Sequence, residues 1–213
     1  MKNAETHRYE TEKKRTRIKI CGLQSPCDIE YVNELLPDYI GFVFARQSKR
    51  YITPKEAEVL RKKLDNRILP TGVFVNEERE NIAELVKRNI ISAVQLHGTE
   101  TEEDIQCLRG LAVCPIIKAF RVKGQEEIKL ANQSVADYVL LDSGGGSGET
   151  FDWSLLKEMQ RPYFLAGGLR AENVAEAIHG LQPFAVDASS SLETEGRKDR
   201  AKMAAFVRAV RQA

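Results

Sequence analysis

Two side chains of this sequence are placed for proton transfer, the thiol of Cys21 and the carboxyl group of Asp142. Each ends a short apolar run, and glycine follows directly after Cys21 and two residues after Asp142. A carboxyl group can donate or accept a proton, and a thiol can act as a base once it is ionised. Backbone N–H groups freed by glycine can approach a phosphate closely. Although Asp-Ser-Gly alone is also typical of an ordinary turn, the pattern indicates acid–base chemistry beside a phosphate group.

Three segments rich in glycine or serine are candidates for binding that phosphate. They are Gly145, Gly146, Ser147 and Gly148, then Gly167 and Gly168, and then Ser189 and Ser190. One such loop is a weak signal, because tight turns use the same residues. Three loops after consecutive predicted strands are a stronger signal, since the loops after strands seven and eight of a (β/α)8 barrel frequently form a phosphate site.

Four further polar side chains follow predicted strands and are candidates for substrate contacts. They are Arg50, Gln95, His97 and Asp187. The guanidinium of Arg50 can grip a carboxylate through its forked donors, whereas His97 fits either a catalytic group or a hydrogen-bonded pocket residue. The other two histidines lie in the N-terminal segment and near a predicted helix end, so the histidines predict no metal cluster.

These candidates must be positioned by an alternation of strands and helices. Strands are predicted at 17–21, 39–44, 71–75, 91–96, 115–119, 137–142, 162–166 and 183–187. Helices are predicted near 26–36, 54–64, 77–89, 101–110, 124–132, 152–160, 171–179 and 198–211. Such an alternation implies parallel strands joined by right-handed crossovers. The number of units favours a single-domain α/β protein, a (β/α)8 TIM barrel, and an open doubly wound sheet is the alternative.

Composition narrows the classes of function. The chain has 213 residues with 32 basic and 31 acidic side chains, which disfavours a general binder of nucleic acid or membrane surfaces. No apolar run is long enough to cross a bilayer. The four cysteines form no CxxC pair, so we expect a reduced, cytoplasmic setting. We expect residues 1–16 to form a mobile charged N-terminal tail and residues 17–213 to form the catalytic barrel.

Short motifs along the chain resemble those of the phosphoribosylanthranilate isomerase family of tryptophan biosynthesis. They include Lys19-Ile20-Cys21-Gly22, Ser48-Lys49-Arg50, Val94-Gln95-Leu96-His97-Gly98, Leu141-Asp142, Leu165-Ala166-Gly167-Gly168-Leu169, Val186-Asp187 with Ser189-Ser190, and Glu193 with Lys198-Asp199. The resemblance extends from about Arg17 to the C-terminus. Each motif is short, but their joint order and spacing are specific.

The resemblance implies a (β/α)8 isomerase that converts N-(5-phosphoribosyl)anthranilate to 1-(2-carboxyphenylamino)-1-deoxyribulose 5-phosphate by an Amadori rearrangement. It implies that Asp142 is the general acid at the ribose ring oxygen and Cys21 the general base at C2. It also implies that Arg50 holds the anthranilate carboxylate and that the three loops hold the phosphate. No metal or organic cofactor is needed. The expected partner is the phosphosugar, not nucleic acid or a membrane, and the expected assembly is a monomer or homodimer.

Two features depart from the family pattern. Ser191 stands where the family usually has glycine, and serine would cost about 1 kcal/mol there if the position needs a positive φ. The loop between Asp142 and Gly145 is short relative to many members of the family, which would limit how far a mobile lid could close over the substrate.

Two other functions remain alternatives at this point. The first is another phosphosugar isomerase or epimerase, since one fold supports many reactions. Metal-dependent epimerases are expected to place several histidine and acidic ligands at strand ends, and this sequence does not. The second is a non-catalytic phosphosugar-binding barrel. That function would allow Cys21 and Asp142 to be replaced, yet both are present.

Overall fold

Eight parallel strands form a closed barrel in which each strand pairs with its neighbours in chain order and the last pairs with the first. The computed structural model describes residues 15–142 and 153–213. The strands are β1 (Arg17–Cys21), β2 (Tyr39–Val43), β3 (Leu69–Phe74), β4 (Ala93–Leu96), β5 (Ile116–Arg121), β6 (Tyr138–Asp142), β7 (Tyr163–Leu165) and β8 (Ala185–Ala188). The barrel prediction is confirmed, and the open sheet is excluded because the ladder closes from β8 to β1.

Helices follow the strands and cover the outside of the barrel. They are α1 (Pro26–Leu35), α2 (Pro54–Arg61), α3 (Arg79–Lys87), α4 (Glu102–Leu111), α5 (Gln125–Gln133), α6 (Val174–Leu181) and α7 (Arg200–Gln212). A short antiparallel pair, β9 (Glu193–Thr194) and β10 (Arg197–Lys198), lies between β8 and α7. Among residues 15–142 and 153–213, no helix combines the length and the apolar character needed to span a membrane.

The helix predicted at 152–160 is wrong in type, because residues Trp153–Glu158 form a 3-10 helix. The amide of Met159 donates to the carbonyl of Leu156, three residues back, as that tighter helix requires. Pro162 follows almost at once and disfavours a helical conformation for the residue before it. The helix therefore ends before Arg161 and stays a short 3-10 segment of six residues.

Helix starts are determined locally by capping side chains. Ser25 accepts a hydrogen bond from the amide of Asp28, whose carboxylate accepts one from the amide of Ser25. Thr53 and Glu56 make the same reciprocal pair at α2, and both helices have proline at the first position, where no hydrogen bond is lost. These caps place the first residues of each helix and so determine the path of the loop that precedes it.

The inside of the barrel has three levels. At the N-terminal ends of the strands an aromatic cluster closes the barrel, with the rings of Tyr138 and Phe184 stacked at 4.6 Å. The middle level is polar and buried, and it includes Lys19, Gln95 and Asp187. The third level, at the C-terminal ends, is open and forms the cavity described next. Closure at one end and a polar floor direct all ligand access to the other end.

Candidate active site

A cavity of about 600 Å³ opens at the C-terminal ends of the barrel strands. Its lining includes all the predicted site residues that the structure describes: Cys21, Arg50, Gln95, His97, Asp142, Gly167, Gly168, Asp187, Ser189 and Ser190. The predicted phosphate loop of Gly145, Gly146, Ser147 and Gly148 lies outside the described residues. The strand ends thus bring together distant parts of the chain, such as Cys21 and Ser189, which are 168 positions apart in the sequence.

The thiol of Cys21 occupies space that is available because residue 41 is glycine. β1 pairs with β2 so that Cys21 stands beside Gly41. A Cβ atom on residue 41 would lie 2.5 Å from Cys21 Sγ, which is far inside van der Waals contact. The thiol is therefore held over the backbone of β2 and remains part of the cavity wall.

A buried ion pair lies below that thiol. Lys19 is completely buried, and its Nζ lies 2.6 Å from Asp187 Oδ2. Burial alone would lower the pKa of Lys19, but the interactions with Asp187 and Cys21 together outweigh it, and the pKa of Lys19 is raised above its ordinary value. Lys19 is thus a fixed cation at the cavity floor.

Burial raises the pKa of the Cys21 thiol. The positive charges of Lys19 and Lys198 act in the opposite direction and favour the thiolate, whereas the carboxylate of Asp187 opposes it. The net result is a raised pKa, so the Cys21 thiol holds its proton more firmly than an exposed cysteine does. The two lysines limit that effect.

Arg50 is held at the cavity rim by a carboxylate. Its Nε and one terminal nitrogen lie 2.6 and 2.8 Å from the two carboxylate oxygens of Glu193. Lys198 also contacts Glu193, at 2.7 Å. The Arg50 side chain crosses Gly22, where a Cβ would meet Arg50 Cδ at 2.3 Å and where φ is +82°. Glycine at position 22 is therefore required twice, for the backbone conformation and for the passage of Arg50.

His97 links Gln95 to Asp142. Gln95 Nε2 lies 2.9 Å from His97 Nδ1, and with the amide donating, Nδ1 is the acceptor and the ring proton is on Nε2. That nitrogen faces Asp142 Oδ2 at 3.5 Å. His97 therefore lies in the cavity as a hydrogen-bonded partner of Gln95 and a neighbour of Asp142.

The wall near Cys21 is apolar. Val43, Ala45 and Val73 form a buried cluster with Cys21 and Val75 packed against it. All five residues line the cavity. This apolar wall therefore suits a hydrophobic group, which would lie beside the guanidinium of Arg50 at the cavity rim.

The loops after β7 and β8 form the other side of the cavity. Gly167 and Gly168 have φ of +90° and +63°, a conformation that side chains disfavour. Ser189 donates its hydroxyl proton to the carbonyl of Cys21 at 2.9 Å. The proton of that hydroxyl is therefore engaged within the protein.

Ser191 does not adopt the positive φ that would make serine unfavourable at this position. It lies in the 3-10 helix Ser190–Leu192 and is absent from the described residues with positive φ. Its hydroxyl donates to the carbonyl of Leu169 at 2.5 Å. Serine thus joins the loop after β8 to the loop after β7, and the strain considered for this position does not arise.

Four residues without a predicted role also lie at or next to the cavity: Lys19, Glu193, Lys198 and Arg170. Arg170 lines the cavity and stands directly after the glycine loop and Leu169. For Lys19 a signal did exist, because residues two apart in a strand point to the same side, so Lys19 must face inward if Cys21 does. Glu193 could be recognised only by its motif, since its contact with Arg50 joins distant parts of the chain.

Within residues 15–142 and 153–213, no three histidine, cysteine, aspartate or glutamate side chains are arranged to hold a metal ion. The charges that converge on the cavity are instead paired lysines, arginine and carboxylates.

Comparison with known proteins gives one consistent result. The family model for N-(5'-phosphoribosyl)anthranilate (PRA) isomerase matches residues 18–209. N-(5'-phosphoribosyl)anthranilate isomerase from Endomicrobium trichonymphae is 46% identical over 200 residues, covering 92% of this chain and 98% of that protein. The protein of that name from Thermoanaerobacter sp. (strain X514) is 44% identical over 202 residues, with the same coverage.

Solved structures agree with the sequence relatives. The crystal structure of phosphoribosyl anthranilate isomerase from Thermotoga maritima has a TM-score of 0.84 and 37% identity, covering 93% of this chain and 100% of that one. A second isomerase structure, in complex with reduced 1-(o-carboxyphenylamino)-1-deoxyribulose 5-phosphate, has a TM-score of 0.81 and 35% identity over the same shares. With the barrel and cavity described above, these matches show that the chain belongs to the N-(5'-phosphoribosyl)anthranilate isomerase family of enzymes.

Proposed function

We propose that the chain isomerises N-(5-phosphoribosyl)anthranilate to 1-(2-carboxyphenylamino)-1-deoxyribulose 5-phosphate in this cavity, with Asp142 as general acid and Cys21 as general base. The observation that carries the assignment is that both side chains line one cavity from different strands, β6 and β1. An acid and a base that act on different atoms of one sugar must be separated in this way. The related structure with a reduced reaction product bound supports the same substrate class.

The phosphate end of the substrate belongs at the loops after β7 and β8. The positive φ of Gly167 and Gly168 opens the backbone there, and the short 3-10 helix starting at Ser190 follows β8. Loops seven and eight with a short extra helix are the usual phosphate site of this fold. Arg170 on the same rim adds a positive charge that favours a dianion.

The anthranilate end belongs on the opposite side. Val43 and Val73 provide an apolar wall for the aromatic ring, and Arg50 stands at the rim beside it. The guanidinium can bind a carboxylate through a planar pair of donors. We therefore assign Arg50 to the carboxylate that distinguishes anthranilate from a plain aromatic amine.

Ring opening requires a proton at the ribose ring oxygen. Asp142 in its acid form donates that proton, the bond between C1 and the ring oxygen breaks, and the nitrogen lone pair forms the C1=N bond of a cationic Schiff base. His97 stands beside the carboxylate that remains, with Nε2 3.5 Å from Asp142 Oδ2. It stabilises the charge on Asp142 after the proton has left.

The second step moves the hydrogen from C2. The thiolate of Cys21 removes the C2 proton, and the electron pair forms the C1=C2 bond of a neutral enolamine. This product then takes a proton at C1 and loses the proton of the C2 hydroxyl, which gives the ketone. Two protons are gained and two are lost, so the product is an isomer of the substrate.

Gln95 and Asp187 are assigned to the sugar hydroxyls. Among the described residues, Gln95 Oε1 and Asp187 Oδ1 are buried side-chain atoms without a hydrogen-bond partner, and both residues line the cavity. Buried acceptors of this kind are normally satisfied. Hydroxyl groups of a bound sugar are donors of the right chemistry.

The assembly is inferred by comparison with a related protein. The isomerase from Thermotoga maritima is dimeric, and a structure of monomers generated from it is also known. We infer a cytoplasmic monomer or homodimer, and the elution volume of the purified chain in size-exclusion chromatography distinguishes these two states.

Loss of anthranilate-sugar fluorescence tests the reaction itself. Purified protein should accelerate the loss of fluorescence from freshly made N-(5-phosphoribosyl)anthranilate. The same assay on phosphoribosyl aniline, which lacks the carboxylate, should show a raised KM. No turnover under conditions in which the substrate survives would contradict the assignment and would favour a non-catalytic phosphosugar-binding barrel. Turnover only of unrelated phosphosugars would favour another isomerase.

A further inference from the structure

The burial of Cys21 works against its proposed role as a base. Cys21 must be ionised to remove a proton from C2, but burial raises the pKa of its thiol. A positive charge close to the sulfur is needed to stabilise the thiolate.

Lys19 provides such a charge from the same strand. It precedes Cys21 by two positions in β1, and residues two apart in a strand point to the same side. Of the charged groups that act on the thiol, Lys19 has the largest effect. It is fully buried, so water does not screen the interaction as it would at the surface.

Asp187 keeps that lysine charged and in place. β1 pairs with β8 in a register that sets Lys19 beside Asp187, and their charged atoms are 2.6 Å apart. The carboxylate of Asp187, with a smaller contribution from Cys21, holds the pKa of Lys19 above its ordinary value despite burial. An isolated buried lysine would instead tend to lose its proton.

The other charges around Cys21 come from neighbouring elements. Lys198 of β10 favours the thiolate and Asp187 of β8 opposes it, and Arg50, from the loop after β2, is coupled to the thiol as well. Lys198 and Arg50 share the carboxylate of Glu193, which offsets part of their charge. Lys19 is therefore the cation on which ionisation of the thiol depends most.

We propose that Lys19, held by Asp187, is a positioning residue whose ammonium stabilises the Cys21 thiolate and so prepares the base for the reaction. Ionisation sends the thiol proton to solvent, and Lys19 keeps all of its own protons and forms no bond to the substrate. The inference rests on the proposed role of Cys21 as base, although the ionisation itself can be measured without substrate.

The test is the pH dependence of Cys21 alkylation by iodoacetamide, followed by mass spectrometry of the peptide that contains Cys21. In Lys19→Met the midpoint should rise by at least one pH unit, so alkylation at pH 7 should slow at least tenfold. Lys19→Arg keeps the charge and should return the midpoint toward the wild-type value. The acidic limb of kcat/KM should move in parallel.

Lys118→Met is the matched control. Lys118 is also a buried lysine at a strand of the barrel, paired with Glu100 at 2.8 Å, and its loss should leave the Cys21 midpoint unchanged. If Lys19→Met does not fold, the double variant Lys19→Met with Asp187→Leu removes both charges and leaves no unpaired one. The midpoint should still rise, but by less than in Lys19→Met, because Asp187, which opposes the thiolate, is removed together with Lys19.

An unchanged midpoint in the folded Lys19 variant, or an equal shift in Lys118→Met, would overturn the inference. Failure of the proposed function has a different signature. A protein that shows the lysine-dependent midpoint but does not turn over N-(5-phosphoribosyl)anthranilate contradicts the function, whereas an active enzyme with a lysine-independent midpoint contradicts the role of Lys19.

Discussion

Arg50 and Glu193 are 143 positions apart in the sequence and share two hydrogen bonds, of 2.6 and 2.8 Å. Both partners are largely shielded from solvent, with 27% and 9% of their side chains exposed. Burial alone would raise the pKa of Glu193, but hydrogen bonds from Arg50 and Lys198 outweigh it and lower the pKa. The carboxylate thus stays ionised and fixes the guanidinium at the rim of the cavity.

The first prediction concerns this pair. Glu193→Gln should raise KM for N-(5-phosphoribosyl)anthranilate about tenfold, because a charged hydrogen bond that orients Arg50 is lost, while kcat should fall much less. Steady-state fluorescence kinetics measure both constants. Glu34→Gln breaks a pair with Arg200 that lies on the surface and should leave KM unchanged. A lower kcat with unchanged KM in Glu193→Gln would contradict the orienting role.

The second prediction concerns the space under the thiol. Gly41→Ala places a Cβ 2.5 Å from Cys21 Sγ and should displace the sulfur. Because a misplaced catalytic group costs about 10²-fold, kcat should fall by about that factor. Gly110→Ala is the matched control, since its Cβ meets nothing within 4 Å. That variant should keep full activity, and equal loss in both variants would exclude the proposed cause.

The third prediction concerns the hydrogen bond that joins the loop after β8 to the loop after β7. Ser191→Ala removes the hydrogen bond to the carbonyl of Leu169, which should cost about 1 kcal/mol of unfolding free energy. It should also raise KM several-fold, because the two loops that we propose bind the phosphate lose their connection. Ser134→Ala removes a hydroxyl that contacts Glu102 away from the cavity. The control should lose stability without a change in KM.

The fourth prediction concerns stability at low pH. Glu100 accepts hydrogen bonds from the amides of Asn76 and Gly98 and from Lys118, all within 2.9 Å. Burial alone would raise the pKa of Glu100, but these bonds outweigh it and lower the pKa. Glu100→Ala should therefore cost about 3 kcal/mol at neutral pH, because buried Lys118 loses its partner.

The sign of the pH effect follows from the lowered pKa. The stabilisation by Glu100 is complete above the pKa of the unfolded chain and is lost as pH falls through the folded value. The difference in unfolding free energy between wild type and Glu100→Ala should therefore shrink below about pH 4. Urea unfolding across pH 3 to 7 measures it, and a difference that stays constant would show that the carboxylate charge is not the cause.

Much of the fold was predictable from local pattern. Every strand end lies within two residues of its predicted position, because apolar runs and polar turns alternate cleanly in a parallel barrel. Cys21 and Asp142 were predictable for the same reason, since both end a strand. The start of α6 could be predicted less accurately. The side chain of Asn173 accepts a hydrogen bond from the amide of Arg170 and donates one to the carbonyl of Gly168, and the helix begins three residues later than predicted.

The contacts that hold the site residues in place could not be predicted from local sequence pattern. The contact of Lys19 with Asp187 depends on closure of the barrel between its first and last strands, and that of Arg50 with Glu193 depends on the path of two loops. The conformation of Ser191 depends on its partner at Leu169. Each of these contacts joins residues that are far apart in the sequence. The local pattern around one residue does not identify its distant partner.

The most direct test of the acid–base assignment compares turnover of N-(5-phosphoribosyl)anthranilate by wild type, Cys21→Ser and Asp142→Asn. Both variants should fold and should lose at least 10²-fold in kcat, because serine is a poor base at neutral pH and asparagine cannot donate the proton. Cys114→Ser and Asp65→Asn should keep wild-type rates. Wild-type turnover retained by Cys21→Ser and Asp142→Asn would contradict the central claim that these two residues move the protons.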